Sequence, residues 1–491
     1  MKELICIITA AAVLLCGTVQ AAEAPVSGAD SGTDSAAMQE TVNKPKKNDE
    51  SAEETDSLDE IEKARQALQY GLESEILEVT GKIDKQDFEA LQDDFIRLFT
   101  DTKSRAVREA LFSLYQKYTN PLLVPSAVKL LEHYAEQNRT LLKAVLSYLA
   151  AVKPEQTDGL RTVLQTLLTE EAAEYGAEAA AVLGEIGSDE DAQFLADYFE
   201  TCVLDDTKQE LALKQAIAAA LEKLHSEATR DFLIERARDE NENAYIRAGA
   251  AAGLAQMGNP DIVPLLIAFF EESEPLLRAA AIKGAAAFDT EDTQKLLLEG
   301  FKDSYYKVRL EALQTVQKTK QREALPYVLY RAKHDPVEAV RFSAVETLAI
   351  LDVPEGNEWL SETFRNPKKS EKLRVKVLNA ALKHNPTMIA GDLEAVVLPS
   401  VRDDKQKKLR YELGKELAKT ENAAAAEICK AFLQSTDVLT KSIGLDMFKT
   451  NRYTEARPVV EEIAQDEKQG TLQHRAKRLL EEKTGAAAGS E

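Results

Sequence analysis

Residues 307–351 read KVRLEALQTVQKTKQREALPYVLYRAKHDPVEAVRFSAVETLAIL. Here Val308-Arg309 is followed seventeen positions after the arginine by Pro326, then by Asp335, then by Val340-Arg341. The same basic-to-proline spacing joins Arg108 to Pro125, Arg247 to Pro264 and Lys441 to Pro458. Recurrence at fixed offsets marks an internal repeat, and repeats of this length build solenoids.

Working outward, the basic position runs along nearly the whole chain: Arg108, Lys143, Lys214, Arg247, Arg278, Arg309, Arg341, Arg374, Arg410, Lys441 and Arg475, with Glu178 filling one slot. The steps vary between 31 and 36 residues. Tetratricopeptide and ankyrin repeats hold a nearly constant length, and their signatures are absent. A variable step fits two-helix units joined by loops that tolerate insertion. After Arg309, small or apolar residues fall at Ala312, Leu313 and Val316; after Arg341 they fall at Ala344, Val345 and Leu348. Offsets of three, four and seven place them on one helical stripe. Asp335-Pro336 and Asn259-Pro260 read as an N-cap followed by a proline at the first helical position, with Glu338 completing a capping box. The prolines at plus seventeen are expected inside the first helix of the next unit, where a proline bends the backbone.

The order proline, acid, then an apolar residue and arginine recurs in Pro264, Glu272 and Leu277-Arg278. This pattern resembles the HEAT repeat family, in particular its bacterial branch related to phycobilisome lyases. The resemblance covers roughly residues 60–480 and is weaker where Lys143, Glu178, Lys214 and Lys441 replace the arginine. It implies an all-α superhelix of the armadillo/HEAT type, with about 11–12 two-helix repeats whose second helices line the concave face.

The expected layout is a signal peptide over 1–21, an acidic linker over 22–57, a helical cap over 58–100, the solenoid over 101–483 and a tail over 484–491. Lys2 precedes an apolar run from Leu4 to Leu15, and Val19-Gln20-Ala21 suits cleavage. The run is too short to span a bilayer comfortably. Export to a bacterial periplasm is expected, the alternative being a lipoprotein acylated at Cys16. Residues 22–60 hold eleven acids, three lysines and no aromatic residue, a composition that cannot bury enough apolar surface to order itself. The full chain carries a formal charge of −23. So acidic a body repels nucleic acid and anionic lipid. Cys202 and Cys429 lie about seven repeats apart, roughly 55–70 Å at the spacing of packed helices. Two separate buried thiols are therefore expected rather than a disulfide.

Catalytic patterns are missing. His133, His225, His334, His384 and His474 lie in different units. No His-x-x-x-His or Cys-x-x-Cys spacing, phosphate loop or nucleophile elbow occurs, and no metal or cofactor is expected. Acids precede several ladder arginines by six to eight positions: Asp101, Asp239, Glu272, Asp303, Asp335 and Asp403. The arginines at 108, 247, 278, 309, 341, 374 and 410 are thus expected to tie turn to turn through charge-assisted hydrogen bonds.

Two and six positions after the basic residue, the second helix of the middle units carries Ala180 and Gly184, Ala216 and Ala220, Gly249 and Gly253, Ala280 and Gly284. Both offsets are read as facing outward. They would form a smooth trough for a partner helix or extended segment, or else permit close packing between neighbouring helices. Tyr305 is placed at its rim, and Trp359 in the core. The resulting expectation is a non-enzymatic scaffold of the bacterial cell envelope that binds a protein. The alternatives are an enzyme built on the same repeats, such as a bilin lyase, a lipid-anchored assembly factor, a nucleic-acid binder and a self-associating rod.

Overall fold

The computed structural model describes residues 54–155 and 159–481. The leader, Cys16, most of the acidic linker and the C-terminal tail lie outside them. Among the described residues every regular element is a helix. The first, Glu54–Tyr70, begins four residues before the expected start of the cap. Glu73–Lys82 and Lys85–Ala90 follow. Twelve antiparallel pairs then run from Gln92–Asp101 with Arg105–Lys117 to Arg457–Gln465 with Thr471–Glu481. Within each pair the first helix is called A and the second B. The count agrees with the repeat register, and the architecture is an all-α solenoid.

Several A helices open on a short 3-10 turn, and Asn120, Ser226, Asn259 and Asn422 cap four of these turns with a side chain; Asn259 caps Pro260–Ile262 by accepting from the Asp261 N–H at 3.1 Å. The repeated proline sits just after that turn, at the second position of the A helix: Pro125, Pro264, Pro326 and Pro458. This corrects the expected bend. In the first helical turn an N–H has no intrahelical partner, so proline there costs no hydrogen bond and starts the helix. Asp335 likewise caps by accepting from the Val337 N–H at 3.0 Å, and the B helix begins at Glu338, beyond Pro336.

B helices stack on the B helices of both neighbours along the whole array, whereas A helices meet each other more sparsely. The closer-spaced layer is the inner one. Apolar stripes from A and B close a continuous core, which includes Leu313, Val316, Val345 and Leu348, all fully buried. Cys202 and Cys429 are both free and buried, and burial pushes the Cys429 thiol up to about 12. Trp359 is partly buried against the core.

Five B helices end on a residue other than glycine in the left-handed region: Lys153, His225, Lys320, Asp352 and Arg452. That conformation costs about 1 kcal/mol for a residue with a Cβ. Lys320→Gly is therefore expected to raise stability by about 1 kcal/mol, read as a later denaturation midpoint; an unchanged or earlier one would show that Lys320 relieves its strain elsewhere.

Candidate functional site

In the middle of the array the ladder arginines share one pattern of hydrogen bonds. Arg309 grips Asp335 with two hydrogen bonds of 2.8 and 2.9 Å, while its third nitrogen donates to the carbonyls of Asp303 and Ser304 at 2.9 and 3.0 Å. Arg278 does the same one repeat earlier, to Asp303 at 2.7 and 3.1 Å and to the carbonyls of Glu272 and Ser273. Arg247 reaches Glu272 at 3.3 Å. Each arginine thus closes its own A–B turn through backbone carbonyls and ties the next repeat's turn through the acid. Burial alone would push the Asp335 carboxyl up; hydrogen bonds from Arg309, the Val337 N–H and Arg331 hold it below the usual range.

Towards the ends the wiring thins. Arg341, Arg374 and Arg410 keep the carbonyl contacts, to Asp335, Phe364 and Ser400. Arg410, almost wholly buried, adds two long approaches, to Asp437 at 3.7 Å and to Asp404 at 3.8 Å. Arg108 lies over the Phe99 ring, its Nε unbonded, and Asp101 is not its partner. Asp239 and Asp403 cap nearby turns instead. Lys143 and Glu178, assigned to the same column, bond each other at 2.5 Å on the surface. A π-helical turn over Ala172–Gly176 leads directly into the helix that carries Glu178.

Small residues divide into two sets. At plus six, Gly184, Ala220, Gly253 and Gly284 are buried in the seams between helices. A Cβ on Gly184 would stand 2.7 Å from the Ala220 Cα, and one on Gly253 would stand 3.3 Å from the Glu222 Cα. These positions do not face outward as expected. Six residues advance a helix by 240°, against 200° for two, and that extra rotation turns the position into the neighbouring B helix or, at Gly284, onto Leu266 of its own A helix. At plus two, Ala180 is also buried, Ala216 and Gly249 are half-buried, and Ala280, though only 8% exposed, borders an open surface together with Gly249.

That surface is a hollow of about 300 Å³ over the B helix Ala244–Gln256. The helix reads AYIRAGAAAGLAQ, so Ala248, Gly249 and Ala252 give a floor without side-chain bulk. One wall is apolar, made by Tyr245, 62% exposed, and Leu276. The opposite wall is an ion pair. Lys283 crosses the low helix of repeat 5 to meet Glu222 of repeat 4 at 2.6 Å, a separation of 61 residues in sequence. Glu311 of repeat 7 closes the C-terminal end. Tyr305 stands outside the hollow, 37% exposed, with its ring against Tyr306.

Sequence reading found Gly249 and Ala280, and the same plus-two register reaches Glu311, but it missed Ala248, Ala252, Tyr245 and Lys283. The available signal was the run of six small residues among the seven of 247–253, which no other B helix matches. Among the described residues, no group of three His, Cys, Asp or Glu side chains is disposed to hold a metal, and no helix is long and apolar enough to cross a membrane.

Comparison with known proteins follows the same geometry. The sequence model described as "Spirochaete HEAT repeat protein" matches residues 68–479, most of the chain. The chain belongs to this family. No curated protein matches this spirochaete HEAT repeat protein by sequence. Among solved structures, it is similar in fold to the karyopherin Kap121p bound to Nup53p, with 11% identity over 85% of this chain and 52% of that one and a TM-score of 0.36. A mutant form of Kap121p matches at 9% identity, 88% and 54% coverage, and a TM-score of 0.38. An engineered protein matches at 16% identity, 66% and 98% coverage, and 0.29. The chain thus spans about half the length of the karyopherins it matches. These likenesses are of fold alone.

Proposed function

We propose that this protein is a non-enzymatic scaffold that seats a segment of a partner protein on its B-helix face, at repeats 4 to 7. The observation that carries this reading is the hollow over Ala244–Gln256. Glycine inside a helix costs about 1 kcal/mol against alanine. Packing accounts for that cost at Gly184 and Gly253 but not at Gly249, where an added Cβ would meet nothing closer than 3.7 Å. A smooth floor beside an exposed tyrosine is what an incoming side chain needs. The leader at Lys2 to Ala21 supports an exported location in the bacterial envelope, and the acidic body weighs against nucleic acid as the partner.

The test is crosslinking of the native protein in cells, followed by mass spectrometry of what it captures, beside Gly249→Glu and Gly249→Ala. One dominant envelope protein, captured by the wild type and by Gly249→Ala but lost from Gly249→Glu, is the expected result. A partner retained by Gly249→Glu would move the interface off this face, and capture of no partner would end the scaffold reading.

A further inference from the structure

The polar side chains of the B-helix face are almost all spoken for. Glu185 is held by Lys153 and Lys223, each at 2.5 Å. Glu346 takes Lys376 at 2.7 Å and Lys383 at 3.0 Å, and despite its burial these contacts bring its carboxyl down to about 2. Glu416 bonds Asn379 and Lys419, both at 2.7 Å. Glu222 has Lys283. Glu311 is different. It is half-buried, lines the hollow, and has no hydrogen bond or ion pair among the described residues. Two cations act on it from nearby. Lys283 is committed to Glu222, and Lys318 lies two helical turns further along the same helix, exposed to solvent. Burial pushes the Glu311 carboxyl up and Glu222 adds to the rise, against the pull of Lys283 and Lys318.

A carboxylate partly stripped of water and left without a partner is costly, and a cation brought to it recovers that cost. The rest of the hollow asks for something else. Its floor is Gly249, Ala252 and Ala280, its free wall is Tyr245 and Leu276, and about 300 Å³ lies at the small end of the range that encloses compact ligands. That space takes one or two side chains, not a helix backbone.

We infer that the segment seated here carries a lysine or arginine that pairs with Glu311 and, within one helical turn of it, a compact aliphatic side chain that fills the floor over Gly249. This rests on the reading of the hollow as a partner seat and specifies the partner's chemistry. The acidic body draws any basic segment towards it. Glu311 converts that general attraction into a fixed register, because only one point in the hollow offers an unpaired charge.

The probe is a short fluorescent helical peptide of alanine and leucine with one central lysine, beside the same peptide with glutamine in place of lysine. Both are titrated against the full chain by anisotropy at about 0.15 M salt, where remote surface charges are screened. The lysine peptide is expected to bind saturably and about tenfold more tightly than the glutamine peptide. Glu311→Gln should abolish the difference, whereas Glu358→Gln, which removes an exposed charge elsewhere, should leave it intact. Gly249→Leu should abolish binding of both peptides. Tyr245→Ala, at an exposed position, should weaken both and serves if the leucine variant does not fold. A lysine preference that survives Glu311→Gln overturns the inference while leaving the seat in place. Binding unchanged by both floor and wall variants, or no saturable binding at all, overturns the seat as well.

Discussion

Arg309→Ala is expected to split the unfolding of the solenoid into two transitions and to remove about 3 kcal/mol from the coupling between repeats 7 and 8. The side chain is 5% exposed and binds both oxygens of Asp335 across the repeat boundary. Deleting one partner of a buried pair leaves the other charge uncompensated, which typically costs about 3–5 kcal/mol. The lower figure applies because Asp335 keeps Arg331 at 3.1 Å and the Val337 N–H at 3.0 Å. In a solenoid stability is a sum of repeat terms and nearest-neighbour terms, so losing one interface near the middle separates the halves. The pH dependence follows with its sign. In the wild type the Asp335 carboxyl is held low, so its contribution is present above the ordinary carboxylate range and lost as pH falls through the depressed value. In Arg309→Ala burial gains on the remaining hydrogen bonds, and the penalty of the variant should shrink as the medium turns acid. Arg309→Lys should fall between, since an ammonium cannot reproduce the two-point grip. Calorimetry and denaturant titration read all of this; one unshifted transition in Arg309→Ala would refute the coupling.

The second large effect is a reversal of sign between two glycines on B helices. Gly184→Ala should destabilise by roughly 1–3 kcal/mol although alanine is the better helix former. Its Cβ would lie 2.7 Å from the Ala220 Cα and 2.9 Å from the Ala220 Cβ, so two backbones must part. Gly249→Ala should stabilise by about 0.5–1 kcal/mol, because its Cβ meets only ordinary contacts from 3.7 Å outward. If both substitutions destabilise, the floor of the hollow is a packing seam and its reading as a seat is wrong.

Much of the fold is legible in the sequence because one interaction repeats. Arg278 and Arg309 recur 31 residues apart since each must meet the same two turns. The reading slips where that interaction is absent. Lys143 and Glu178 fit the spacing but bond each other instead of the turns, and Glu178 follows a π-helical turn that spacing cannot reveal. Pro326 reads as lying inside its helix because a proline and its helix show in the sequence but the 3-10 turn before it does not. Gly184 and Gly249 look alike as letters; only the distance between B helices tells a seam from an open floor. Glu311 shares the plus-two register of Gly249 and Ala280, but its missing partner cannot be read among 84 acids.

The bond between Lys283 and Glu222 has a mechanical consequence. A solenoid lengthens like a spring, each repeat swinging slightly on the next. Most ties in this chain join adjacent repeats and swing with them. This one leaps over repeat 5 and fastens repeat 6 to repeat 4, on the face that gapes when the spring is drawn out. It acts as a light splint: any motion that parts repeat 4 from repeat 6 must first break this partly exposed pair, worth about 0–1 kcal/mol.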